Sequence, residues 1–114
     1  PQNLKQFNIM TNVVIYTDLF KMSTAIEVIA PDRPGLLSCI GQIFTKFKLQ
    51  LISAKISTLG ERVEDVFHVV DANYNPLSDL SDCSQLVQAI CDELDARVMK
   101  ETEGIPLQKM SLWN

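Results

Sequence analysis

The chain has 114 residues, 46% of them hydrophobic, and its 10 Lys and Arg against 14 Asp and Glu give a net charge of −4. This length and composition are typical of one small domain and exclude a multidomain enzyme. No stretch approaches the roughly 18 apolar residues that a membrane helix needs, so we expect no membrane partner, and the start at Pro1 without a Met indicates a piece of a longer protein.

The distribution of charge and the spacing of the cysteines further narrow the class of protein. Residues 1–60 carry six Lys or Arg against three Asp or Glu, and residues 61–114 carry four against eleven. Because the cations are too few and too dispersed to form a phosphate-binding surface, we expect no nucleic-acid partner. Cys39, Cys83 and Cys91 show no Cys-x-x-Cys spacing, which predicts three reduced thiols, at least two of them in the core, in a cytoplasmic protein.

The first third of the chain predicts a hairpin followed by a helix. Residues 12–17 and 24–30 are short segments rich in β-branched residues, separated by a polar break, which favours two strands. After Pro31, apolar residues recur at three- and four-residue intervals, which predicts an amphipathic helix with Asp32 or Arg33 as its N-cap and Pro34 in its first turn. Its apolar positions are Leu36, Leu37, Ile40, Ile43, Phe44 and Phe47.

Two strands follow this helix. Residues 49–58 predict a strand with Ile52, Ala54 and Ile56 on one side, and residues 59–61 predict a turn. Residues 62–71 are apolar on both sides, which predicts a strand in the centre of the sheet. Its two sets of alternating side chains are Val63, Asp65, Phe67 and Val69, and Glu64, Val66, His68 and Val70.

A second helix completes the predicted elements. Asp82 and Gln85 resemble a capping box, so we expect a helix from about Cys83 to Val98 and an irregular tail from Lys100. Residues 1–23 are then an N-terminal segment with an extra strand, residues 24–99 the domain and residues 100–114 the tail. The positions predicted to be buried on this helix are Val87, Ile90, Cys91, Leu94 and Val98.

The order of the elements predicts the fold class. A strand, a helix, two strands and a helix, with one more strand in front, fit an α+β fold in which both helices cover one face of an antiparallel sheet. The other face then needs a cover, which dimerisation or a sister domain would supply.

Groups suited to catalysis are scarce. His68, the one histidine, lies in the middle of a predicted strand and has no nearby signature of a nucleophile or general base. No Asp-x-Asp pair and no His-Asp dipeptide occurs, and no set of metal ligands has a suitable spacing. We therefore expect no catalysis, no metal and no cofactor in this chain.

The best candidate site lies where the second strand meets the first helix. A strand end, a glycine turn and a helix start place unpaired backbone N–H groups at one exposed point, which attracts anions. Gly35 allows a ligand to come close, and Asp32 can accept hydrogen bonds from an ammonium group. This arrangement suits a free amino acid; the alternative is that Pro34 and Gly35 only mark the helix start.

The same residues carry a family resemblance. Residues 24–98 resemble an ACT domain, a ferredoxin-like βαββαβ regulatory module that binds small molecules, often amino acids. The run Asp32-Arg33-Pro34-Gly35-Leu36-Leu37 is common among such domains. The run from Ala54 to Phe67 is more specific, and it resembles the C-terminal ACT domain of the bacterial bifunctional uridylyltransferase and uridylyl-removing enzymes.

The resemblance implies a function and a strand arrangement. It implies a non-catalytic glutamine sensor within an enzyme that adds uridylyl groups to the PII nitrogen-signalling protein and removes them, with its catalytic domains upstream. It also implies a four-stranded antiparallel sheet with two helices on one face. Residues 12–17 are well placed to supply the fourth strand.

The resemblance further implies a ligand position between the loop of one domain and the second strand of a paired domain. There Asp32 would hold the amine, the amides near Gly35 to Leu37 the carboxylate, and the backbone near Ile52 to Ala54 the side-chain amide. Asp65 is interpreted as structural, in contact with a hydroxyl, an amide or Lys55, with contact to a ligand as the alternative, and Phe67 is interpreted as core. The full set of expected ligand-binding residues is Asp32, Arg33, Pro34, Gly35, Leu36, Leu37, Ile52, Ser53, Ala54 and Lys55.

Two other functions remain open at this point. One is a module that binds no ligand and only pairs domains or forms a homodimer. The other is a stand-alone amino-acid-binding regulator.

Overall fold

The computed structural model describes the backbone of residues 10–103 and the side chains of residues 10–96. Its strands are β1 (Asn12–Asp18), β2 (Ser23–Pro31), β3 (Gln50–Lys55), β4 (Thr58–Leu59) and β5 (Arg62–Val70). Its helices are α1 (Leu36–Lys46), between β2 and β3, and α2 (Leu80–Glu103), after β5. The predicted hairpin, first helix and strand pair are therefore confirmed.

The strands form one antiparallel sheet in the order β1-β2-β5-β3, and the short β4 pairs with β5. The N-terminal segment thus supplies the outer strand beside β2, and β5 lies between β2 and β3, as predicted. Registers across the middle bring Ile15 opposite Ile26 and Ile26 opposite Phe67. Directly opposed residues on neighbouring strands lie on the same face, so these pairs identify which residues of β1, β2 and β5 share each face of the sheet.

The core lies between the sheet and the two helices. Alternate residues of β2 and β5 point to the helices, and Phe67 meets Phe44 of α1 edge to face, with ring centroids 5.4 Å apart. Aromatic pairs favour this geometry because the positive ring edge meets the negative face. The α+β fold is the one predicted. The buried apolar cluster comprises Ile26, Val28, Ala30, Leu36, Cys39, Ile40, Ile43, Phe44, Val63, Phe67, Val69, Leu86, Ile90 and Leu94.

The start of α1 differs from the prediction. Gly35 is the N-cap, with φ at 79°, and no side chain caps the helix. Asp32 and Arg33 lie before the turn, and Pro34 precedes the cap instead of occupying the first turn. The left-handed conformation explains the choice, because glycine adopts it without the steric cost that a Cβ imposes.

The start of α2 was also predicted incorrectly. Asp79 caps it, since its Oδ1 accepts the N–H of Ser81 at 2.7 Å and its backbone O accepts the N–H of Cys83 at 3.1 Å. Asp82 lies inside the first turn. The helix also continues to Glu103, past the predicted start of the tail at Lys100.

The buried stripe of α2 is turned relative to the prediction. Leu86, Ile90 and Leu94 are buried, whereas Val87 and Cys91 are only half-buried. A spacing of four residues slightly exceeds the 3.6 residues of one turn, so these side chains form a row inclined to the helix axis. The predicted burial of Val98 falls outside the described side chains, and the tail beyond Glu103 lies outside the described backbone.

The predicted strand 49–58 is shorter and interrupted. It ends at Lys55, and its pairing with β5 shifts between Leu51 and Ser53, which is a bulge at Ile52. Ile52 is therefore an extra residue in β3 with no paired residue in β5, and such an extra residue bends a strand. The chain pairs again at Thr58 and Leu59, and the turn predicted after them contains Gly60 at φ 65°.

The cysteines are free thiols, but only Cys39 belongs to the core. Cys83 and Cys91 are half-buried, which corrects the expectation of at least two core thiols. Burial, followed by nearby aspartates, raises the pKa of both thiols, so they are poor nucleophiles at neutral pH. Among the described residues there is no metal-binding cluster, and no helix there is long and apolar enough to cross a membrane.

Candidate functional site

The loop between β2 and α1 forms one wall of a recess of about 280 Å³, which we call the loop recess. Its opposite wall comes from the segment after β3 and from β5. The volume lies just below the roughly 300–1,000 Å³ of drug-sized pockets, so it suits a small metabolite. The lining residues are Asp32, Arg33, Gly35, Leu36, Leu37, Ser38, Ile56, Thr58, Val63 and Asp65.

The first residues of α1, Leu36, Leu37 and Ser38, line this recess. The N–H of Leu36 donates to the carbonyl of Arg33 at 3.2 Å, and the carbonyl of Gly35 accepts the N–H of Cys39 at 2.9 Å. The amides of Leu37 and Ser38 have no acceptor within the helix, and a glycine N-cap brings no side chain to them. Uncapped amides at the positive end of a helix dipole favour an anionic ligand group.

The loop is fixed to the turn before β5. The N–H of Asp32 donates to the carbonyl of Glu61 at 2.8 Å, and the guanidinium Nη1 of Arg33 donates to the carbonyl of Asp32 at 3.1 Å. The carboxylate of Asp32 stays exposed at the mouth of the recess. A carboxylate thus lies near amides that favour an anion, and an amino acid carries both complementary charges.

Asp65 is a charged residue of this recess that sequence analysis did not assign to the site. It is 1% exposed on the helix-covered face, and its Oδ1 accepts the N–H of Ser57 at 3.1 Å. Its Oδ2 is buried and has no hydrogen-bond partner among the described residues. Burial raises the pKa of this carboxyl above its usual 3.8, and the charge of Asp32 raises it further. Strand alternation predicted its face, and an amide was among its expected partners, but the sequence did not identify Ser57 as the donor.

The strand half of the predicted site lies elsewhere in the single chain. Ile52, Ser53, Ala54 and Lys55 belong to the edge strand β3 and do not line the loop recess. The structure therefore brings together Asp32, Arg33, Gly35, Leu36 and Leu37 with Asp65, while Pro34 lies in the turn without lining the recess. A shared site would require the β3 residues to come from a second domain, and that arrangement stays a prediction.

A polar chain crosses the other face of the sheet. His68 is 8% exposed, its Nε2 lies 3.0 Å from Asp18 Oδ2, and its Nδ1 lies 3.5 Å from Ser53 Oγ. Asp18 Oδ1 also accepts the amides of Phe20 and Lys21 at 3.0 and 3.1 Å, so this carboxylate fixes the β1–β2 turn to the sheet. Asp18 lies 50 residues from His68, and no local pattern predicts the contact.

Two further recesses lie outside the loop. One of about 420 Å³ on the uncovered face includes Glu27, Lys55 and Glu64 over an apolar floor. Another of about 460 Å³, lined largely by apolar residues, lies between β1 and the start of α2 and includes Leu77 and Leu80. Neither is lined by residues from the start of α1, and the start of α2, beside the second recess, is capped by Asp79.

Comparison with known families gives a match over most of the domain. The ACR family N-terminal ACT domain matches residues 19–97. This range includes β2 to β5, α1, the larger part of α2 and every residue that lines the loop recess.

Individual relatives give the same picture. The chain is 54% identical over 94 residues to the bifunctional uridylyltransferase/uridylyl-removing enzyme of Pseudomonas syringae pv. tomato, and 53% identical over 96 residues to that of Pseudomonas putida. These alignments cover 82% and 84% of the chain. They cover 10% and 11% of the relatives, so the chain spans about a tenth of the length of the proteins it matches.

Proposed function

Since the chain belongs to the ACR family N-terminal ACT domains, which are regulatory and non-catalytic, we propose that it senses an amino acid, glutamine, in the loop recess. One observation carries the proposal: the Gly35 cap leaves the amides of Leu37 and Ser38 uncapped beside the exposed carboxylate of Asp32. The amides receive the ligand carboxylate and Asp32 receives its ammonium group. Both contacts use the α-carbon groups that all amino acids share, so preference for glutamine comes from its side chain.

The side-chain amide of glutamine is read by the backbone of Ile52 to Ala54 from a paired domain. This strand lies at the sheet edge, where unpaired N–H and C=O groups are available to a partner. The bulge at Ile52 favours this role, because bulges interrupt pairing and redirect the backbone. Ligand binding and domain pairing are thereby coupled.

The parent protein is a cytoplasmic bifunctional uridylyltransferase/uridylyl-removing enzyme, with this domain in its C-terminal part and its catalytic domains upstream. Similarity to such enzymes over more than four-fifths of the chain supports this assignment. Glutamine would shift the balance between uridylylation and deuridylylation of the PII protein by binding one arrangement of domains better than another. A coupling of about 1–3 kcal/mol suffices for such a shift.

Thermal unfolding of the chain with each common amino acid tests the proposal. A ligand at a hundred times its dissociation constant adds about 2.7 kcal/mol of stability, and calorimetry then gives the affinity for any amino acid that stabilises the fold. We expect a selective rise with glutamine that Gly35→Val abolishes. Valine does not tolerate the φ of 79° at this cap, so the amides of Leu37 and Ser38 turn away from the recess.

A second glycine provides the matched control. Gly41 lies within α1, and a Cβ there would meet nothing within 4 Å. Gly41→Ala should therefore raise stability by about 0.5–1 kcal/mol and leave the glutamine response intact. Loss of the response in both variants would show that the loop is not specifically involved.

A ligand-independent pairing module is the second candidate. Leu51, Ile52 and Ile56 are about half exposed along the β3 edge, and such apolar residues favour contact with another domain. This candidate predicts a dimer whose dissociation constant in sedimentation equilibrium is the same with and without glutamine. A dimer strengthened by glutamine would instead support the sensor.

A further inference from the structure

We propose that Asp65 is a ligand-binding residue of the loop recess, whose free Oδ2 accepts a hydrogen bond from the ammonium group of the bound amino acid. This inference rests on the proposed function and adds a residue to the site. Asp32 then contacts the same ammonium group from the solvent side, and Asp65 contacts it from the floor of the recess. The two carboxylates come from opposite walls, one from the loop before α1 and one from β5.

The unmet hydrogen-bonding capacity of Asp65 is the first argument. Oδ1 is occupied by the amide of Ser57, whereas Oδ2 has no partner among the described residues, although the side chain is 1% exposed. Buried polar groups are nearly always paired, so an exception within a recess indicates a missing partner. A purely structural Asp65 would need only Oδ1.

Charge is the second argument. Burial of Asp65 and the proximity of Asp32 both disfavour its ionised form, and its pKa is raised. A cation between the two carboxylates removes this penalty, because each carboxylate then faces an opposite charge. The recess thus has a carboxylate pair for an ammonium group and the amides of Leu37 and Ser38 for a carboxylate.

Access to Oδ2 requires a small local shift, since this atom is covered in the unliganded chain. Ile56 lies between β3 and β4, outside both strands, whereas the carbonyl of the next residue, Ser57, accepts the N–H of Glu64 in β5 at 2.8 Å. Ile56 is 46% exposed and lines the recess. The side chain of Ile56 can therefore move aside while Ser57 keeps its hydrogen bonds to β5.

Comparing two ligands on two variants tests the contact. The ligands are L-glutamine and glutaramic acid, which keeps the carboxylate and the side-chain amide of glutamine but has no amine. The variants are Asp65→Asn, which keeps an oxygen to accept the amide of Ser57, and Glu64→Gln. Glu64 is the neighbouring residue on the opposite face of β5, where it pairs with Arg62 at 3.2 Å, so it controls for loss of one negative charge.

We expect Asp65→Asn to weaken glutamine binding at least tenfold, or about 1.4 kcal/mol, and to leave the affinity for glutaramic acid unchanged. Glu64→Gln should change neither affinity more than about twofold. Equal losses for both ligands, or no loss for either, would overturn the role of Asp65 while leaving the sensor intact. If the wild-type chain, shown to be folded, binds no amino acid even when paired, both the sensor and the role of Asp65 are wrong.

Thermal unfolding of each variant accompanies the titrations. A folded Asp65→Asn variant is expected, because the retained oxygen keeps the Ser57 contact. If Asp65→Asn does not fold, the two ligands are compared on Asp32→Asn instead, because Asp32, on the exposed rim, is the other carboxylate proposed to contact the ammonium group. The proposal requires that Asp32→Asn also weakens glutamine more than glutaramic acid, and equal weakening would contradict the shared ammonium site.

Discussion

The two faces of the sheet bury their residues in different ways. The helix-covered face is apolar and packed, and its one buried carboxylate, Asp65, has an oxygen without a partner. On the other face, the buried residue His68 has a polar partner on each ring nitrogen. Alternating side chains thus produce a sealed core on one side and, on the other, a more open surface that contains a hydrogen-bonded buried histidine.

This difference indicates where binding is possible. A close-packed core tolerates a buried carboxylate only at its margin, where the loop recess begins. On the uncovered face His68 has polar partners in Asp18 and Ser53, although the buried Oγ of Ser23, at the start of β2, has no partner among the described residues. The sealed side contains the buried carboxylate with an unpaired oxygen, and the uncovered side exposes apolar residues such as Val14 and Tyr16, each nearly half exposed.

The largest expected effect is on the free energy of unfolding, and it compares how tightly the two faces of the sheet are packed. Phe67 and Val66 are sequence neighbours on opposite faces; Phe67 is 4% exposed and Val66 is half-buried. Phe67→Ala should lower the free energy of unfolding by about 3–5 kcal/mol, because it leaves a cavity and removes the contact with Phe44. Val66→Ala should cost only about 1 kcal/mol. Urea unfolding measures both, and equal losses would mean that the uncovered face is packed like the core.

The next prediction concerns the carboxylate of the sealed face. The pKa of Asp65 is raised on folding, so the folded chain binds more protons than the unfolded one, and this residue lowers stability as pH rises above 3.8. The free energy of unfolding of Asp65→Asn should therefore rise relative to that of the wild type as the pH goes from strongly acidic to neutral. The expected change is on the order of 1 kcal/mol, since a buried carboxylate oxygen without a partner costs about 1–3 kcal/mol. A difference independent of pH, in thermal unfolding across this range, would contradict the raised pKa.

The smallest expected effect concerns Asp18, which contacts His68 on the other face. Its contribution to stability changes with pH in the direction opposite to that of Asp65. The amide of Lys21 is the main cause that lowers the pKa of Asp18, and His68 and Phe20 add to it. Asp18 therefore stabilises the fold above pH 3.8, and this contribution is lost as pH falls through its lowered value. Asp18→Asn should be less stable than the wild type at neutral pH and should approach it in acid. A gap that persists below pH 3 would show that lost packing, not charge, is the cause.

Local patterns predicted the elements and missed the contacts that define the site. Strand alternation placed Asp65 and Phe67 on one face, and spacing located α1 correctly. The N-cap was misassigned because only the observed φ of Gly35 distinguishes a glycine cap from a capping Asp32. The bulge at Ile52 depends on pairing across the sheet, so no pattern within β3 contains it.

The contacts of Asp65 and His68 were beyond sequence reasoning for the same reason. Asp65 meets the Ser57 amide only because β4 pairs with β5 after a break, and His68 meets Asp18 only because the β1–β2 turn bends towards the sheet. Both contacts depend on where separate segments of the chain lie in the fold, and the periodicity of apolar residues carries no information on that. The family resemblance added what periodicity could not, namely that residues 12–17 supply a further strand of the sheet.

The position of β1 in the chain also bears on how quickly the sheet assembles. In the βαββαβ order the strand beside the first one comes last, after both helices, and must return across the whole domain. Here the paired residues are separated by only 5 positions at Asp18 and Ser23 and by 17 at Asn12 and Ile29. Closing so short a loop costs little entropy, and proteins rich in local contacts fold faster. The β1–β2 ribbon can therefore form before α2 has docked and serve as a template on which β5 pairs.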